Sequence, residues 1–162
     1  MKVLFAASVA LAMLNPLAAL AESAKTLKVT ERIEINAKAD DVWAKSGNYG
    51  DLGAWHPAVK KTEILEGDKD KKGSIRLLTL QDGGTIKERL TARDDKKKML
   101  SYVIIEGVLP ISHYASTFKV EPTKDGKTLV TWQGTFKRKD LSDKPAKGQT
   151  DDDATNTMTA VY

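Results

Sequence analysis

The chain has 162 residues, of which 30% are charged, and a formal net charge of +4 at pH 7. It contains no cysteine, which excludes disulfide bonds and thiolate chemistry, so packing alone must hold the fold together. The excess of positive charge is too small to indicate a nucleic-acid-binding protein, although it suits transient contact with an acidic protein or a membrane surface.

Residues 1–21 have the pattern of a bacterial export signal. Lys2 supplies the positive start, Val3–Leu14 form the apolar segment, and Ala19–Ala21 has the A-x-A form of a cleavage site. The apolar segment is shorter than the ~20 residues that a membrane-spanning helix needs, so we expect no stable membrane anchor. We therefore predict a periplasmic protein whose mature part, residues 22–162, is a single domain.

The first part of this domain combines a strand with short helices. Apolar side chains recur at alternate positions from Leu27 to Ile35, which is the period of a strand. A helix is then expected to begin with Asp40 as its N-cap, followed by an apolar stripe that starts at Val42 and Trp43. Glycines in the next ten residues permit only short helical pieces.

Alternation of polar and apolar residues then predicts a run of strands. We place them at 59–65, 74–80, 85–94, 99–106, 112–121 and 128–137. Most of the connections are short and rich in glycine, aspartate and lysine, as in Asp82-Gly83-Gly84. Short turns between successive strands predict an antiparallel meander.

A helix is predicted after the last strand. Thr150 and Asp153 have the spacing of a capping box, and Ala154, Met158 and Val161 follow on one face. The pattern reaches Tyr162 without a C-cap signal, which leaves open whether the natural helix is longer. This helix is the only substantial element available to cover the apolar face of a curved antiparallel sheet.

The order of elements and several short motifs resemble the SRPBCC (START-like, birch-pollen-allergen-like) superfamily. The motifs cover nearly all of the predicted mature chain: Val42-Trp43, Leu52-x-x-Trp55-His56-Pro57, Gly73-x-x-Arg76, Asp82-Gly83, Glu88-Arg89-Leu90, Asp94, Ser101-Tyr102, Leu109-Pro110-x-x-x-Tyr114 and Val130-x-Trp132-x-Gly134-x-Phe136. Within the superfamily, the polyketide cyclase/dehydrase-like group is the most similar, and the export signal adds a resemblance to MxaD-type periplasmic proteins, which are associated with methanol oxidation.

This resemblance implies an α+β helix-grip fold, in which a curved antiparallel sheet of about seven strands wraps around a C-terminal helix, with two short helices after strand 1. It also implies a cavity between the sheet and that helix. A fold of this kind hosts many functions, so three remain open. The first is a non-catalytic accessory or ligand-binding protein, the second a cyclase or dehydratase, and the third a carrier of a hydrophobic small molecule.

The alternation of side chains along the strands predicts which residues would line such a cavity. The positions that share the inward face of their strands form a mostly apolar set with few polar groups, which is how small-molecule sites are built. The loop Trp55-His56-Pro57 adds two further candidates. The candidate residues are Trp55, His56, Arg76, Glu88, Tyr102, Tyr114, Phe118 and Trp132. For Tyr102, Tyr114 and Trp132, plain core packing is the competing interpretation.

Glu88 is the only candidate for a catalytic residue. It shares strand parity with Ile86 and Leu90, so the pattern places a carboxylate among apolar side chains. A lone buried carboxylate is costly, and Arg76 on the preceding strand is the expected partner. Three roles are open for Glu88: an ion pair with Arg76 that fixes the strand register, orientation of a ligand, or general acid–base catalysis.

Neither a metal site nor a cofactor is predicted. The two histidines, His56 and His113, are far apart and have no cysteine nearby, and no ligand spacing such as HxH or HExxH occurs. His56 reads either as a residue at the cavity mouth or as a partly exposed loop histidine beside a packed Trp55. His113 has the parity opposite to Tyr114 and is expected on the surface unless a bulge intervenes.

Basic residues cluster in two predicted turns, at Lys69, Lys71 and Lys72 and at Lys96, Lys97 and Lys98. They are either solvated loop tips or a docking face for an acidic partner, whose binding would weaken with salt. The resemblance to MxaD-type proteins implies methanol dehydrogenase or its acceptor cytochrome as that partner. An apolar small molecule is the other expected partner.

Overall fold

The structure, a computed structural model, describes residues 24–162. The predicted export signal, residues 1–21, therefore lies outside the described residues. The strands are β1 (Leu27–Ile35), β2 (Val59–Glu66), β3 (Ile75–Leu80), β4 (Thr85–Asp94), β5 (Met99–Gly107), β6 (Ile111–Pro122) and β7 (Thr128–Arg138). The helices are α1 (Ala39–Ser46), a 3₁₀ segment (Tyr49–Ala54) and α2 (Asp151–Val161).

All seven strands form one antiparallel sheet in the order β1-β7-β6-β5-β4-β3-β2. The predicted strand order and the helix-grip fold are confirmed, and the strand ends lie within one residue of the predicted ones. Register shifts interrupt β2 in its pairing with β3, β4 in its pairing with β5, and β6 in its pairing with β7. Such bulges bend strands, which lets the sheet curve around α2.

The predicted capping box starts α2. The Thr150 hydroxyl accepts a hydrogen bond from the Asp153 amide at 3.1 Å, and the Asp153 carboxylate accepts one from the Thr150 amide at 3.0 Å. Ala154 and Met158 are buried on the face that meets the sheet. Within residues 24–162, no helix combines the length and the apolar character that crossing a membrane requires.

The prediction of Asp40 as the N-cap of α1 is wrong. The helix begins at Ala39, so Lys38 is the N-cap and offers no side-chain hydrogen bond. Asp40 lies instead in the first turn, where a carboxylate favours the positive end of the helix dipole, and it pairs with Lys98 at 2.9 Å. The buried indole of Trp43 holds α1 against the rest of the domain, and its Nε1 donates to Asp95 at 3.1 Å.

The core lies between the concave face of the sheet and α2. Leu90, Val120, Phe136 and Met158 are among its most buried side chains. β1 is covered unevenly: Val29 is buried, whereas Ile33 on the same face of the strand is 61% exposed. Part of the concave face is thus open at the end of β1.

Candidate functional site

Two spaces lie next to the last turn of α2. The inner cavity has a volume of about 60 Å³ and is lined mainly by apolar side chains, with Glu88, Tyr102 and Tyr114 among its walls. The outer groove has a volume of about 550 Å³ and is lined by β1, α1 and the end of α2, together with Trp55 and Phe118. Its walls are mostly apolar.

A partition separates the inner cavity from the outer groove. His56, Trp132 and Val161 line both spaces. The His56 ring packs edge-on against the Trp132 indole, with ring centres 5.6 Å apart. Its Nε2 contacts the carbonyl oxygen of Val161 at 2.8 Å. Two side chains, from the loop before β2 and from β7, and a backbone carbonyl of α2 therefore meet at this wall.

Arg76 and Glu88 form a buried ion pair, as expected from their strands. They are directly opposite in the β3–β4 register and are 3% and 4% exposed. Nε and the terminal Nη2 of Arg76 contact the same carboxylate oxygen, Oε2, at 2.7 and 2.6 Å. Glu88 points to the concave side, so a carboxylate in an apolar strand pattern is explained by a partner on the neighbouring strand.

The Arg76 guanidinium also contacts two tyrosines. Nη1 donates to the backbone oxygen of Tyr49 at 2.8 Å, and the group lies 4.1 Å from the centre of the Tyr49 ring and 5.1 Å from that of Tyr102. Arg76 lines neither the inner cavity nor the outer groove. It borders a void of about 10 Å³, which is about the space of one water molecule.

Burial and the ion pair with Arg76 shift the pKa of Glu88 in opposite directions. Burial raises the pKa of Glu88 above its ordinary value, and the adjacent Arg76 guanidinium opposes that rise. Burial lowers the pKa of Arg76, but Glu88, Tyr102 and Tyr49 together raise it by more, so the pKa of Arg76 is above its ordinary value. Arg76 is consequently charged at any physiological pH, and it stabilises the charged form of Glu88.

Trp132 is the centre of a hydrogen-bonded aromatic cluster. Its Nε1 donates to the Tyr102 hydroxyl at 2.7 Å and to Ser116 Oγ at 3.1 Å. Phe118 meets the indole edge-on with ring centres 5.5 Å apart. Burial raises the pKa values of Tyr102 and Tyr114 well above that of a free phenol, so both hydroxyls remain protonated.

Of the two interpretations of His56, the structure contradicts the partly exposed loop histidine beside a packed Trp55. His56 is 7% exposed, whereas Trp55 beside it is 36% exposed and faces the outer groove. His56 Nδ1 accepts from the Ala58 amide at 3.2 Å, so the proton is on Nε2 and is donated to Val161. The backbone of two separate elements holds the ring inside, a contact that a loop motif alone does not reveal.

Because His56 is held in its neutral form, we expect acid to destabilise the protein through this residue. Burial lowers the pKa of His56 below the ordinary 6.5. The unfolded chain therefore takes up its proton first, and the contribution of His56 to stability is full above about pH 6.5 and is lost as the pH falls. Between about pH 7.5 and 5.5, the melting temperature of the wild type should fall more steeply than that of His56→Gln.

His113→Gln is the matched control for this experiment, because His113 is exposed in the bulge between Ser112 and Ala115. This control should show the wild-type slope. Equal slopes for the wild type and His56→Gln would contradict the assignment.

Two tyrosines at the site were missed by sequence reasoning. Tyr49 is completely buried, and no hydrogen-bond partner of its hydroxyl is found within residues 24–162. It lies in a glycine-rich segment without periodicity, so the sequence carries no signal for its burial. Tyr162 stacks on Trp132 with ring centres 4.8 Å apart and an angle of 7° between the planes. Tyr162 is four residues after Met158, so the helical pattern could have placed it on the same apolar face of α2.

The lysine-rich loops lie side by side. Arg93 joins them, because its guanidinium contacts Asp70 at 3.1 Å and Asp95 at 2.7 Å. Acidic neighbours neutralise part of the charge: Lys71 pairs with Asp68 and Lys97 with Asp94, in addition to the Lys98 pair described above. The six lysines Lys69, Lys71, Lys72, Lys96, Lys97 and Lys98 are called the lysine face below.

The site as described holds no ready metal ligand set. Within residues 24–162, no three His, Asp or Glu side chains come together in an arrangement that could hold a metal ion. The titratable groups in and around the inner cavity are instead the Arg76–Glu88 pair, two tyrosines and His56. This set can orient a polar group of a ligand, but it does not include a free acid and a free base side by side.

Fold and site together define a helix-grip protein, in which a curved sheet encloses a C-terminal helix beside an apolar cavity. The chain belongs to the family described as "Polyketide cyclase / dehydrase and lipid transport", whose model matches residues 26–162. This membership confirms the SRPBCC resemblance.

Curated and solved relatives agree with this assignment. MLP-like protein 423 of Arabidopsis thaliana is 34% identical over 115 residues, which cover 65% of this chain and 73% of that protein. The structure of the protein XoxI from Bacillus cereus superimposes with a TM-score of 0.72 at 30% identity, covering 83% of this chain and 87% of that one. Ginseng major latex-like protein 151 from Panax ginseng, with a TM-score of 0.65, 20% identity, and coverage of 84% and 92%, is similar in fold alone.

Proposed function

We propose that this chain binds one small, largely apolar molecule in the outer groove and does not transform it chemically. The observation that carries the proposal is the separation of the groove from Glu88. The groove, at about 550 Å³, has the size of a typical small-molecule site. Glu88 lines the inner cavity of about 60 Å³, which has room for a few water molecules, and it is not among the residues that line the groove.

The chemistry of Glu88 supports binding over catalysis. A general acid or base must reach the reacting atoms within hydrogen-bond distance. The partition of His56, Trp132 and Val161 stands between a molecule in the groove and this carboxylate. Arg76 also occupies Oε2 with two contacts, so releasing Glu88 for proton transfer would leave a buried guanidinium without its counter-charge.

The proposal is tested with N-phenyl-1-naphthylamine, a neutral apolar dye, titrated by fluorescence. Ala160 is exposed on α2 and lines the groove, so Ala160→Trp places an indole in the binding space. Asn156→Trp adds the same indole to an exposed position of α2 outside the groove. We expect Ala160→Trp to weaken dye binding by about tenfold or more and Asn156→Trp to leave it unchanged. Failure of the wild type to bind, or equal effects of the two variants, would disprove the proposal.

The biological setting proposed here follows the resemblance to MxaD-type proteins. We propose that the chain is exported to the periplasm and contacts methanol dehydrogenase or its cytochrome through the lysine face. Two facts support a docking role: Arg93 holds the two loops together, and no ion-pair partner of Lys69, Lys72 or Lys96 is found within residues 24–162. Attraction between exposed charges steers encounters and is screened by salt.

A binding measurement with purified methanol dehydrogenase and cytochrome tests this role. We expect Lys69→Glu combined with Lys96→Glu to weaken association by about tenfold at low salt, and the wild-type affinity to fall as salt is added. Lys144→Glu makes the same type of charge change at an exposed position in the loop between β7 and α2, away from the lysine face. Association that responds neither to salt nor to the lysine-face variant would refute docking through this surface.

A further inference from the structure

The side chain of Tyr162 occupies a built site on the sheet. Its ring lies flat on the Trp132 indole, and its hydroxyl reaches the Tyr114 hydroxyl at 2.7 Å and Ser116 Oγ at 3.4 Å. Aromatic stacking of this kind and a hydroxyl held at its far end are the two contacts by which a protein recognises a phenol.

Gly134 makes room for the phenol oxygen. A Cβ atom at this position would lie 2.2 Å from the Tyr162 hydroxyl and 3.1 Å from Cε2 of Tyr114. Gly134 is in the middle of β7, where glycine contributes no packing and weakens a strand. A glycine inside a strand is typical of a place where another group approaches the backbone closely, and here that group is a phenol oxygen.

The polar groups at the end of this site select a hydroxyl. Ser116 Oγ donates to the backbone oxygen of Gln133 at 2.9 Å and accepts from Trp132 Nε1, so towards Tyr162 it can only accept. The Tyr114 hydroxyl remains free to donate. The site therefore offers one donor and one acceptor to the same oxygen. A hydroxyl matches both, whereas a carbonyl or an ether oxygen matches the donor alone.

We propose that the outer groove recognises a planar aromatic molecule with a hydroxyl group and that Tyr162 is its internal, displaceable occupant. This inference rests on the proposed function, because it specifies the class of molecule that the groove binds. A ligand ring replaces the Tyr162 ring on Trp132, and the ligand hydroxyl takes over the contacts with Tyr114 and Ser116. Displaced Tyr162 moves toward the open part of the groove that it already lines.

The test uses p-cresol, which is the side chain of tyrosine as a free molecule, in isothermal titration calorimetry. Tyr162→Ala empties the site, so it should bind p-cresol at least about tenfold more tightly than the wild type, because no internal occupant competes. Toluene and 4-methylanisole, which lack the hydroxyl, should bind Tyr162→Ala about tenfold or more weakly than p-cresol, because Tyr114 or Ser116 then remains unpaired. Adding Gly134→Ala to Tyr162→Ala should abolish this gain in affinity for p-cresol, because the new methyl group occupies the place of the phenol oxygen.

Folding of each variant is checked by its melting temperature before titration, and Tyr162→Leu serves as a second emptied site that retains an apolar side chain. Equal affinity of p-cresol for the wild type and for the emptied variants, or equal binding of toluene and p-cresol, would overturn the inference. The same proteins are titrated with N-phenyl-1-naphthylamine. Binding of that dye without a response to p-cresol refutes the phenol site alone, whereas absence of dye binding in every variant refutes the proposed function with it.

Discussion

Replacing Arg76 with methionine should lower the free energy of unfolding by about 3–5 kcal/mol, which is the range for removing one partner of a buried ion pair. The variant leaves the Glu88 carboxylate buried at 4% exposure without a counter-charge. It also removes the contacts of the guanidinium with the Tyr49 and Tyr102 rings. Urea denaturation monitored by circular dichroism measures the loss.

The pH dependence of this loss identifies its cause. Without Arg76, nothing opposes the effect of burial, so the pKa of Glu88 in the folded variant rises further above its unfolded value of about 4.3. When the pKa of a carboxyl is higher in the folded state than in the unfolded state, its contribution to folding stability is complete below the unfolded-state pKa. That contribution is lost as the pH rises through the folded-state pKa. The difference in unfolding free energy between the wild type and Arg76→Met should therefore shrink as the pH is lowered toward about 4 and widen as it is raised toward neutrality.

Arg76→Met combined with Glu88→Leu is the control for this experiment. It replaces both charges with apolar groups of similar size, so it should recover much of the stability and lose the pH-dependent gap. A double variant that is no more stable than Arg76→Met at neutral pH would show that the buried charge is not the cause.

Replacing Trp132 with alanine should cost about 3–5 kcal/mol of unfolding free energy, the range for a large buried aromatic side chain. The indole is buried at the junction of the inner cavity and the outer groove. Its loss removes packing against Phe118, His56 and Tyr162 and leaves the Tyr102 hydroxyl without its indole donor. Chemical denaturation measures the cost, and dye titration measures the accompanying loss of groove binding.

Trp55→Ala is the matched control, because Trp55 lines the same groove but is 36% exposed. Its truncation removes about two thirds of the buried area that Trp132→Ala removes, so it should cost less, about 2–3 kcal/mol. Similar costs for the two variants would contradict the central role of Trp132 in the packing. Trp132→Phe, which retains an aromatic ring, should fall between the wild type and Trp132→Ala.

Much of the fold could be predicted because its signals are local. The alternation in β3 and β4 placed Arg76 and Glu88 on the concave face, and short turns placed the two strands side by side, so their pairing was accessible without a structure. The cap of α2 was equally readable, since a capping box involves residues three positions apart. The cap of α1 was misplaced by two residues, because Asp40 suits the first turn of a helix as well as the N-cap.

Other features depend on where elements meet after folding. A bulge in β6 changes which side chains face inward, so both Ile111 and Tyr114 are buried although strict alternation would place them on opposite faces. The hydrogen bond from the His56 ring to the Val161 carbonyl joins residues 105 positions apart, so no local sequence pattern predicts it. The burial of Tyr49 likewise follows from the position of Arg76 and not from its own neighbours in sequence.

The sequence by itself determined the order of strands and helices and most of the residues that face the concave side, because these follow from short-range periodicity and turn chemistry. It also determined the family, through motifs that resemble those of known members. Only the tertiary structure decided how the enclosed space is divided. The seating of α2 brings Val161 against His56 and Tyr162 onto Trp132, which separates Glu88 in a small inner cavity from an open apolar groove. That division depends on the packing of three distant elements, and the proposal of binding without catalysis rests on it.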